Sequence, residues 1–230
     1  GTRMGAGFAT DPAGGNGSEF ASAFAEDDNA ASSNAGRRIT ATSSIVLLTD
    51  GTPTLAAKAD ITSFDSDGFT LNWGTNNTSP DYIHYVALGG DSIVATSSVF
   101  TATTTATSQV VEGVGFRPDI VLFMTGIQTS SMDVNAVNSD FGMGLSTVAG
   151  NVGFSAASQD NQGSNINKFS QQSAENAIVI IGTNSATATI SSMGGDGFTL
   201  NWNDTPSATT LAIPYLAIKG GNHKVGSFNQ

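Results

Sequence analysis

The sequence predicts an all-β protein built from tandem antiparallel β-sandwich modules, jelly-roll-like in arrangement, of which the first is incomplete. Three observations support this prediction. The heptapeptide Asp-Gly-Phe-Thr-Leu-Asn-Trp occurs twice, at residues 67–73 and, 129 positions later (196 − 67), at residues 196–202. Short apolar runs bounded by polar residues, glycine or proline recur along the chain, as in sandwich strands. Signals for helices are few.

Similarity between the two copies extends well beyond the heptapeptide. Upstream, residues 45–48 correspond to residues 178–181; downstream, residues 83–88 correspond to residues 213–218, and a glycine pair follows each copy. Self-similarity of this kind marks a tandem array of one supersecondary unit. We therefore expect a complete module, called the second module below, over residues 91–220.

The first module, residues 1–90, is predicted to be incomplete. Residues 91 to about 137 have no counterpart ahead of residue 1, so residues 1–90 correspond to the C-terminal part of a repeat unit. Residues 221–230 are a tail or the start of a further repeat. Two explanations stay open: the chain is a piece of a longer repeat polypeptide, or strands of a neighbouring subunit complete the first module. Unpaired sheet edges favour such strand donation.

The repeated segments have the patterns of strands. The apolar runs at residues 45–48, 120–124 and 178–181 are typical of buried sandwich strands. In the heptapeptide, Phe, Leu and Trp alternate with Thr and Asn, which places the apolar side chains on one face of a strand. The preceding Asp-Gly pair is a turn signal, so residues 61–64 and 69–73 are expected to form the two arms of a hairpin.

One weak helix signal lies around Phe20 and Phe24, which are four residues apart and follow Ser18, a residue that can cap a helix. The Gly- and Asn-rich surroundings favour a long surface loop with at most two turns of helix. The corresponding segment, residues 155–176, is rich in Gln, Asn and Ser and is expected to be a similar insertion. Such loops are natural places for contacts with partners.

Composition narrows the classes of function. Charged residues make up 12% of the chain, about half of the ~25% typical of soluble domains. The net charge is −11, which argues against nucleic-acid binding because that requires clustered Lys and Arg. Cysteine is absent, which excludes disulfides and thiolate metal sites. There is no run of 18 apolar residues, so membrane insertion is not expected. A polar surface with few charges is common in extracellular and virion proteins.

The sequence contains no motif for catalysis. Patterns for phosphate-binding loops, dinucleotide sites, zinc peptidases and serine hydrolases are all missing. His84 corresponds to Pro214 in the other copy, so the module does not need it, and His223 lies in a polar tail. A hydroxyl nucleophile needs a positioned base, and neither histidine is a good candidate. We predict that the chain is not an enzyme and has no catalytic, cofactor-binding or metal-binding residues.

Some features have both a structural and a functional interpretation, and the structural one is favoured in each case. Residues 65–68, Asp-Ser-Asp-Gly, resemble the start of a calcium loop, but a closing glutamate is missing, so a tight turn is predicted. The acidic residues 26–28 and the basic pair at residues 37–38 are interpreted as solvated loop positions. Trp73 and Trp202 are interpreted as core residues and not as sugar-stacking platforms, because they share a face with Phe and Leu.

Three motifs together resemble a module of uncharacterised bacteriophage structural and tail-associated proteins. They are Gly-Phe-Arg-Pro-Asp-Ile-Val-Leu-Phe at residues 115–123, the heptapeptide, and Tyr-Leu-Ala-Ile-Lys-Gly-Gly at residues 215–221. The resemblance covers the second module fully and the first in part. It implies a β-rich virion component without enzymatic activity, and it identifies no binding residues.

We therefore expect a non-enzymatic structural protein of a viral particle, a bacteriophage above all, associated with a tail or capsid. It would form homo-oligomers through sheet edges and polar loops and contact other virion proteins. The alternative is a carbohydrate-binding or adhesive surface protein, viral or bacterial, with a host-surface glycan as partner. Both functions place the chain in a virion or in the extracellular space. Two buried tryptophans would favour the structural role, and one exposed beside carboxylates in a cleft would favour the alternative or an enzyme.

Overall fold

The computed structural model describes residues 2–11, 18–27, 33–49, 53–126, 131–163, 168–182, 184–207 and 211–228. These residues form strands and no helix. All the strand pairs described are antiparallel, and they form four sheets. The predicted all-β class is confirmed.

The first module contains β1 (Thr2–Ala9), β2 (Glu19–Asp27), β3 (Asn34–Thr40), β4 (Ile45–Leu48), β5 (Leu55–Asp65) and β6 (Gly68–Thr75). The second contains β7 (Val94–Thr101), β8 (Ser108–Glu112), β9 (Ile120–Met124), β10 (Asn135–Val137), β11 (Ser139–Thr147), β12 (Gly150–Ser158), β13 (Lys168–Ser173), β14 (Ile178–Ile180), β15 (Ala186–Gly194), β16 (Gly197–Asp204) and β17 (Ala212–Lys219).

The sheets of the second module are the larger ones. One has six strands in the order β13-β12-β11-β9-β17-β7, and the other has four in the order β14-β15-β16-β8. The core between them contains aromatic rings from both sheets, including Phe123, Phe198 and Tyr215. Phe198 meets Phe123 and Tyr215 edge to face, at centroid separations of 5.7 Å and 5.3 Å. Such contacts stabilise a core beyond the area they bury.

The first module repeats part of this arrangement. Its sheets have the orders β1-β2-β3-β10 and β4-β5-β6, which match β11-β12-β13 and β14-β15-β16. Register shifts in β5–β6, at residues 58/59 and 61/63, recur in β15–β16 at residues 187/188 and 190/192. A bulge is a specific local feature, and both bulges recur 129 positions apart. The sequence repeat is therefore a repeat of structure down to these irregularities.

The predicted loop around Phe20 and Phe24 is wrong, because this segment is strand β2, paired with both β1 and β3. Alanines at every second position (Ala21, Ala23 and Ala25) are buried against β4. Small residues give a weak hydrophobic signal, which is why the period of two was missed. The matching prediction for residues 155–176 is also wrong, since it includes the end of β12 and the whole of β13.

The two modules are joined by a strand pairing and by polar contacts. Strand β10 of the second module pairs with β3 of the first. The Arg37 guanidinium donates hydrogen bonds to the carbonyls of Val137 and Asn138, at 2.7 Å and 2.9 Å. Burial lowers the pKa of Arg37, and the nearby charge of Asp140 acts against that shift. The interpretation of residues 37–38 as a solvated loop is therefore wrong, because these arginines lie in β3 at the junction.

Candidate functional site

Among the described residues, the first module has no counterpart of the strands that close the second. In the second module, β9 lies between β11 and β17, β7 pairs with the other edge of β17, and β8 pairs with β16. In the first, β1 and β6 are edge strands of their sheets. Residues 81–90, which correspond to β17, lie outside all the described sheets. Two strand edges and one unpaired segment are thus exposed together.

The side chains that face these open positions are apolar. Trp73 is 40% exposed and its counterpart Trp202 is 4% exposed; Tyr85 is 71% exposed and its counterpart Tyr215 is 2% exposed. We call this surface the uncovered face and define it by Phe64, Trp73, Ile83 and Tyr85, which are exposed here and whose counterparts Met193, Trp202, Ile213 and Tyr215 are buried in the core of the second module. Large apolar side chains that stay exposed in this way mark an interaction site.

Although it is unpaired, the 81–90 segment occupies the place of a strand. The rings of Phe69 and Tyr85 lie 5.1 Å apart at 87°, almost the geometry of Phe198 and Tyr215, at 5.3 Å and 86°. An ion pair of 2.6 Å between Arg3 and Asp81 links the start of the segment to β1. The aromatic residues of the first module are therefore arranged as in the core of the second module, but no further strand covers them among the described residues.

Burial changes the chemistry of the equivalent tyrosine in the closed module. It raises the pKa of the Tyr215 phenol, against a hydrogen bond from Ser98, while the charge of Asp196 adds to the rise. The indole N–H of Trp202 donates to Gln109 on β8 at 3.1 Å. Strands β7 and β8 thus supply polar partners as well as apolar cover to the aromatic residues of the core.

The predicted core role of the tryptophans is confirmed for Trp202 and wrong for Trp73. Both side chains lie on the same face of equivalent strands, so the pattern located the face correctly. Burial on that face depends on other strands, and those strands are present around Trp202 alone among the described residues. The sequence signal for this difference was the missing counterpart of residues 91 to about 137.

The turn predicted at residues 65–68 is confirmed, because Ser66 and Asp67 form the turn between β5 and β6. The Asp65 carboxylate accepts a hydrogen bond of 3.1 Å from the Thr70 hydroxyl across this turn. In the second module the turn has a further role. The Asp196 carboxylate accepts hydrogen bonds from the backbone amides of Gly113 and Gly115, at 3.2 Å and 2.6 Å, in the loop after β8.

We expect Asp196→Ala to lower the free energy of unfolding by about 1 kcal/mol, because it removes two hydrogen bonds to a carboxylate from backbone amides that lie at the surface, where water can replace the acceptor. Asp67→Ala is the matched control, since Asp67 holds the same turn position beside no such loop, and should cost less than about 0.5 kcal/mol. Urea titration of both variants measures the two losses. Equal losses would mean that the turn, and not the loop after β8, depends on the aspartate.

The prediction of a solvated loop for the acidic residues 26–28 is wrong for Glu26 and Asp27. Glu26 and Asp27 belong to β2, and Asp28 lies outside the described residues. Glu26 accepts a hydrogen bond from the Ser139 hydroxyl and so helps to join the modules. In the described part of the chain no three His, Asp or Glu side chains are grouped so as to hold a metal ion.

The two histidines are not brought together. His84 lies in the exposed 81–90 segment. His223 lies after β17, with its Nε2 atom 2.6 Å from the carbonyl oxygen of Gly220. Neither position supplies a base beside a positioned nucleophile, and the prediction that the chain is not an enzyme stays a prediction.

Comparison with known proteins found no match to a family model, to a curated protein or to a solved structure. Among the described residues there is also no helix long and apolar enough to cross a membrane. The resemblance to phage structural modules stays a prediction. What the chain does must be inferred from its own surface, and the uncovered face is the surface with the clearest chemistry.

Proposed function

We propose that this chain is a non-enzymatic structural protein of a viral particle, a bacteriophage above all, which assembles through its open sheet edges and polar loops. The observation that supports the proposal is the uncovered face. Edge strands offer rows of unpaired N–H and C=O groups, and natural proteins normally block such edges. Here two edges stay open beside exposed aromatic and aliphatic side chains, as is expected of a component that functions in an assembly.

Composition adds support of a different kind. The surface is polar but carries few charges, and the chain has no cysteine, so its modules must be stabilised by sheet packing and by assembly. The partners we propose are copies of this chain and other virion proteins. The site of action is the virion or the extracellular space.

Native mass spectrometry of the purified chain and of its assembly tests this proposal. We expect the chain to be bound to copies of itself or to other proteins, and Ile83→Asp to weaken the complexes that use the uncovered face. Val148→Asp is the matched control, because Val148 is 72% exposed in the turn between β11 and β12 and is not part of that face. A soluble monomer that binds glycans and no protein would contradict the proposal.

Carbohydrate binding is the second candidate, and the exposure of aromatic rings favours it. Trp73 is 40% exposed, Tyr85 is 71% exposed and Tyr82 is 95% exposed, and exposed aromatic rings are amphipathic contact surfaces. Glycan-array binding that is lost in Trp73→Ala and kept in Val148→Asp would support this function. The structural role is preferred, because the counterparts of Trp73 and Tyr85 in the second module are packed by protein strands.

A further inference from the structure

The second module shows what covers the equivalent of the uncovered face. There, β7 pairs with β17 along its whole length, from Ala212↔Thr101 to Lys219↔Val94. Strand β9 pairs with the other edge of β17 and with β11, and β8 pairs with β16. A single segment, residues 94–124, thus fills three strand positions. All three corresponding positions are open beside residues 81–90, β1 and β6.

The aromatic core of the second module also shows which strands the first module lacks among the described residues. In the second module Phe100 of β7 and Phe123 of β9 pack around Phe198 and Tyr215, with centroid separations of 5.7–6.4 Å. The first module holds counterparts of Phe198 and Tyr215 in the same edge-to-face arrangement. The first module therefore contains two of the four rings of this cluster. The other two would have to come from strands equivalent to β7 and β9.

A glycine provides an independent observation. A Cβ atom on Gly197 would lie 2.0 Å from the carbonyl oxygen of Val111, so β8 can lie in its place only because residue 197 is glycine. The counterpart, Gly68, has open space around it, with no atom within 4 Å of such a Cβ. The first module therefore has, beside Gly68, the free space that a strand equivalent to β8 needs. Asp67 likewise provides a carboxylate at the position where Asp196 accepts hydrogen bonds from the backbone amides of the loop after β8.

We propose that the uncovered face binds a further polypeptide segment of the β7–β9 type, supplied from outside residues 1–230. Its three strands would pair with residues 81–90, β1 and β6, and its two phenylalanines would complete the ring cluster. The inference rests on the proposed function in one respect, since it makes the donor a component of the same assembly. Strand addition of this kind gives affinity through main-chain hydrogen bonds and specificity through pockets for alternate side chains.

A second copy of this chain is a poor donor. Each copy has two positions for such a segment, one per module, but only one segment of this type among its residues, which its own second module uses. If a second copy donated this segment, one uncovered face would be covered, and the equivalent face of the donor's own second module would become exposed. The net burial of apolar surface would be close to zero, so a segment with this strand pattern from outside residues 1–230 is the better fit.

The test uses a synthetic peptide with the sequence of residues 91–126 as the probe for the unidentified donor. Added to the intact chain, it should bind in a one-to-one complex and shift the fluorescence of half-exposed Trp73 to shorter wavelength. Gly68→Ala should weaken this binding at least tenfold without altering the free chain. Gly74→Ala, a glycine in the same strand with equally open surroundings, should bind within about twofold of the parent chain, because a surface substitution of this kind changes little.

A covalent fusion of the segment to the chain tests the same inference if the free peptide is insoluble. With residues 91–138 repeated ahead of Thr2, the chain should melt at a higher temperature and bury Trp73, and Gly68→Ala should abolish both effects. Absence of binding and of stabilisation, or equal binding by Gly68→Ala and Gly74→Ala, would overturn the inference. If that happens while the chain still assembles and Ile83→Asp disrupts the assembly, the proposed function stands and this inference alone is wrong.

The source of the donor is tested on the natural assembly by cross-linking and mass spectrometry. We expect residues 81–90 to cross-link to a segment that has the β7–β9 pattern and whose sequence differs from residues 91–126. Cross-links to residues 94–124 of a second copy would overturn the assignment of the donor to a segment outside residues 1–230.

Discussion

Phe198→Ala is expected to lower the free energy of unfolding of the second module by about 3–5 kcal/mol, the usual cost of removing a buried phenylalanine. Phe198 is 1% exposed. Its ring lies within 5.3–6.3 Å of the rings of Phe100, Phe123 and Tyr215, as measured between centroids. These rings come from β7, β9 and β17 of the facing sheet, so no single neighbour can move to fill the cavity.

The repeat provides an internal control for this substitution. Phe69 occupies the same heptapeptide position, is only half-buried and has Tyr85 as its aromatic neighbour. Phe69→Ala should therefore cost less, about 1–2 kcal/mol, because its ring is already partly exposed and has a single aromatic neighbour. Urea titrations of both variants give the comparison. Equal losses would show that the first module is closed in solution, contrary to the structure described here.

Patterns of large apolar residues predicted their strands correctly. The runs at residues 45–48, 120–124 and 178–181 and the hairpin before the heptapeptide are all present. Strands of small or polar residues were missed, as in β13, whose sequence is Lys-Phe-Ser-Gln-Gln-Ser. Its pairing with β12 satisfies backbone groups, and hydrogen bonds of that kind do not require apolar side chains. Strands held mainly by such hydrogen bonds therefore leave no local pattern in the sequence.

The candidate site was predictable in outline from the repeat. The missing counterpart of residues 91 to about 137 indicated which strands the first module lacks, and the alternation in the heptapeptide indicated which side chains they would have covered. The position of residues 81–90 was not predictable. It depends on the Phe69–Tyr85 contact and on the ion pair between Arg3 and Asp81, and the partners of that ion pair are 78 residues apart. Contacts over such separations are set by the fold.

The second large effect is expected from a glycine of the core and not from a bulky side chain. A Cβ atom on Gly144 would lie 1.6 Å from the carbonyl oxygen of Ala177. Gly7 holds the equivalent place in β1, where a Cβ would lie 2.0 Å from the carbonyl oxygen of Ser44. In each module, the sheet therefore approaches the facing backbone, just before β14 or β4, more closely than a residue with a side chain allows.

Gly144→Ala should consequently cost about 3 kcal/mol, at the upper end of the range for overpacked cores, because both atoms in conflict are held by backbone geometry. Relief requires β11 to move away from Ala177, which is fully buried, and so to separate the two sheets of the core. Gly74→Ala is the matched control: Gly74 also lies in a strand, but a Cβ there meets nothing within 4 Å. Its effect on stability should be within about 0.5 kcal/mol of zero. If the two substitutions shift the urea midpoint equally, the close approach of the sheets at Gly144 is not what fixes their spacing.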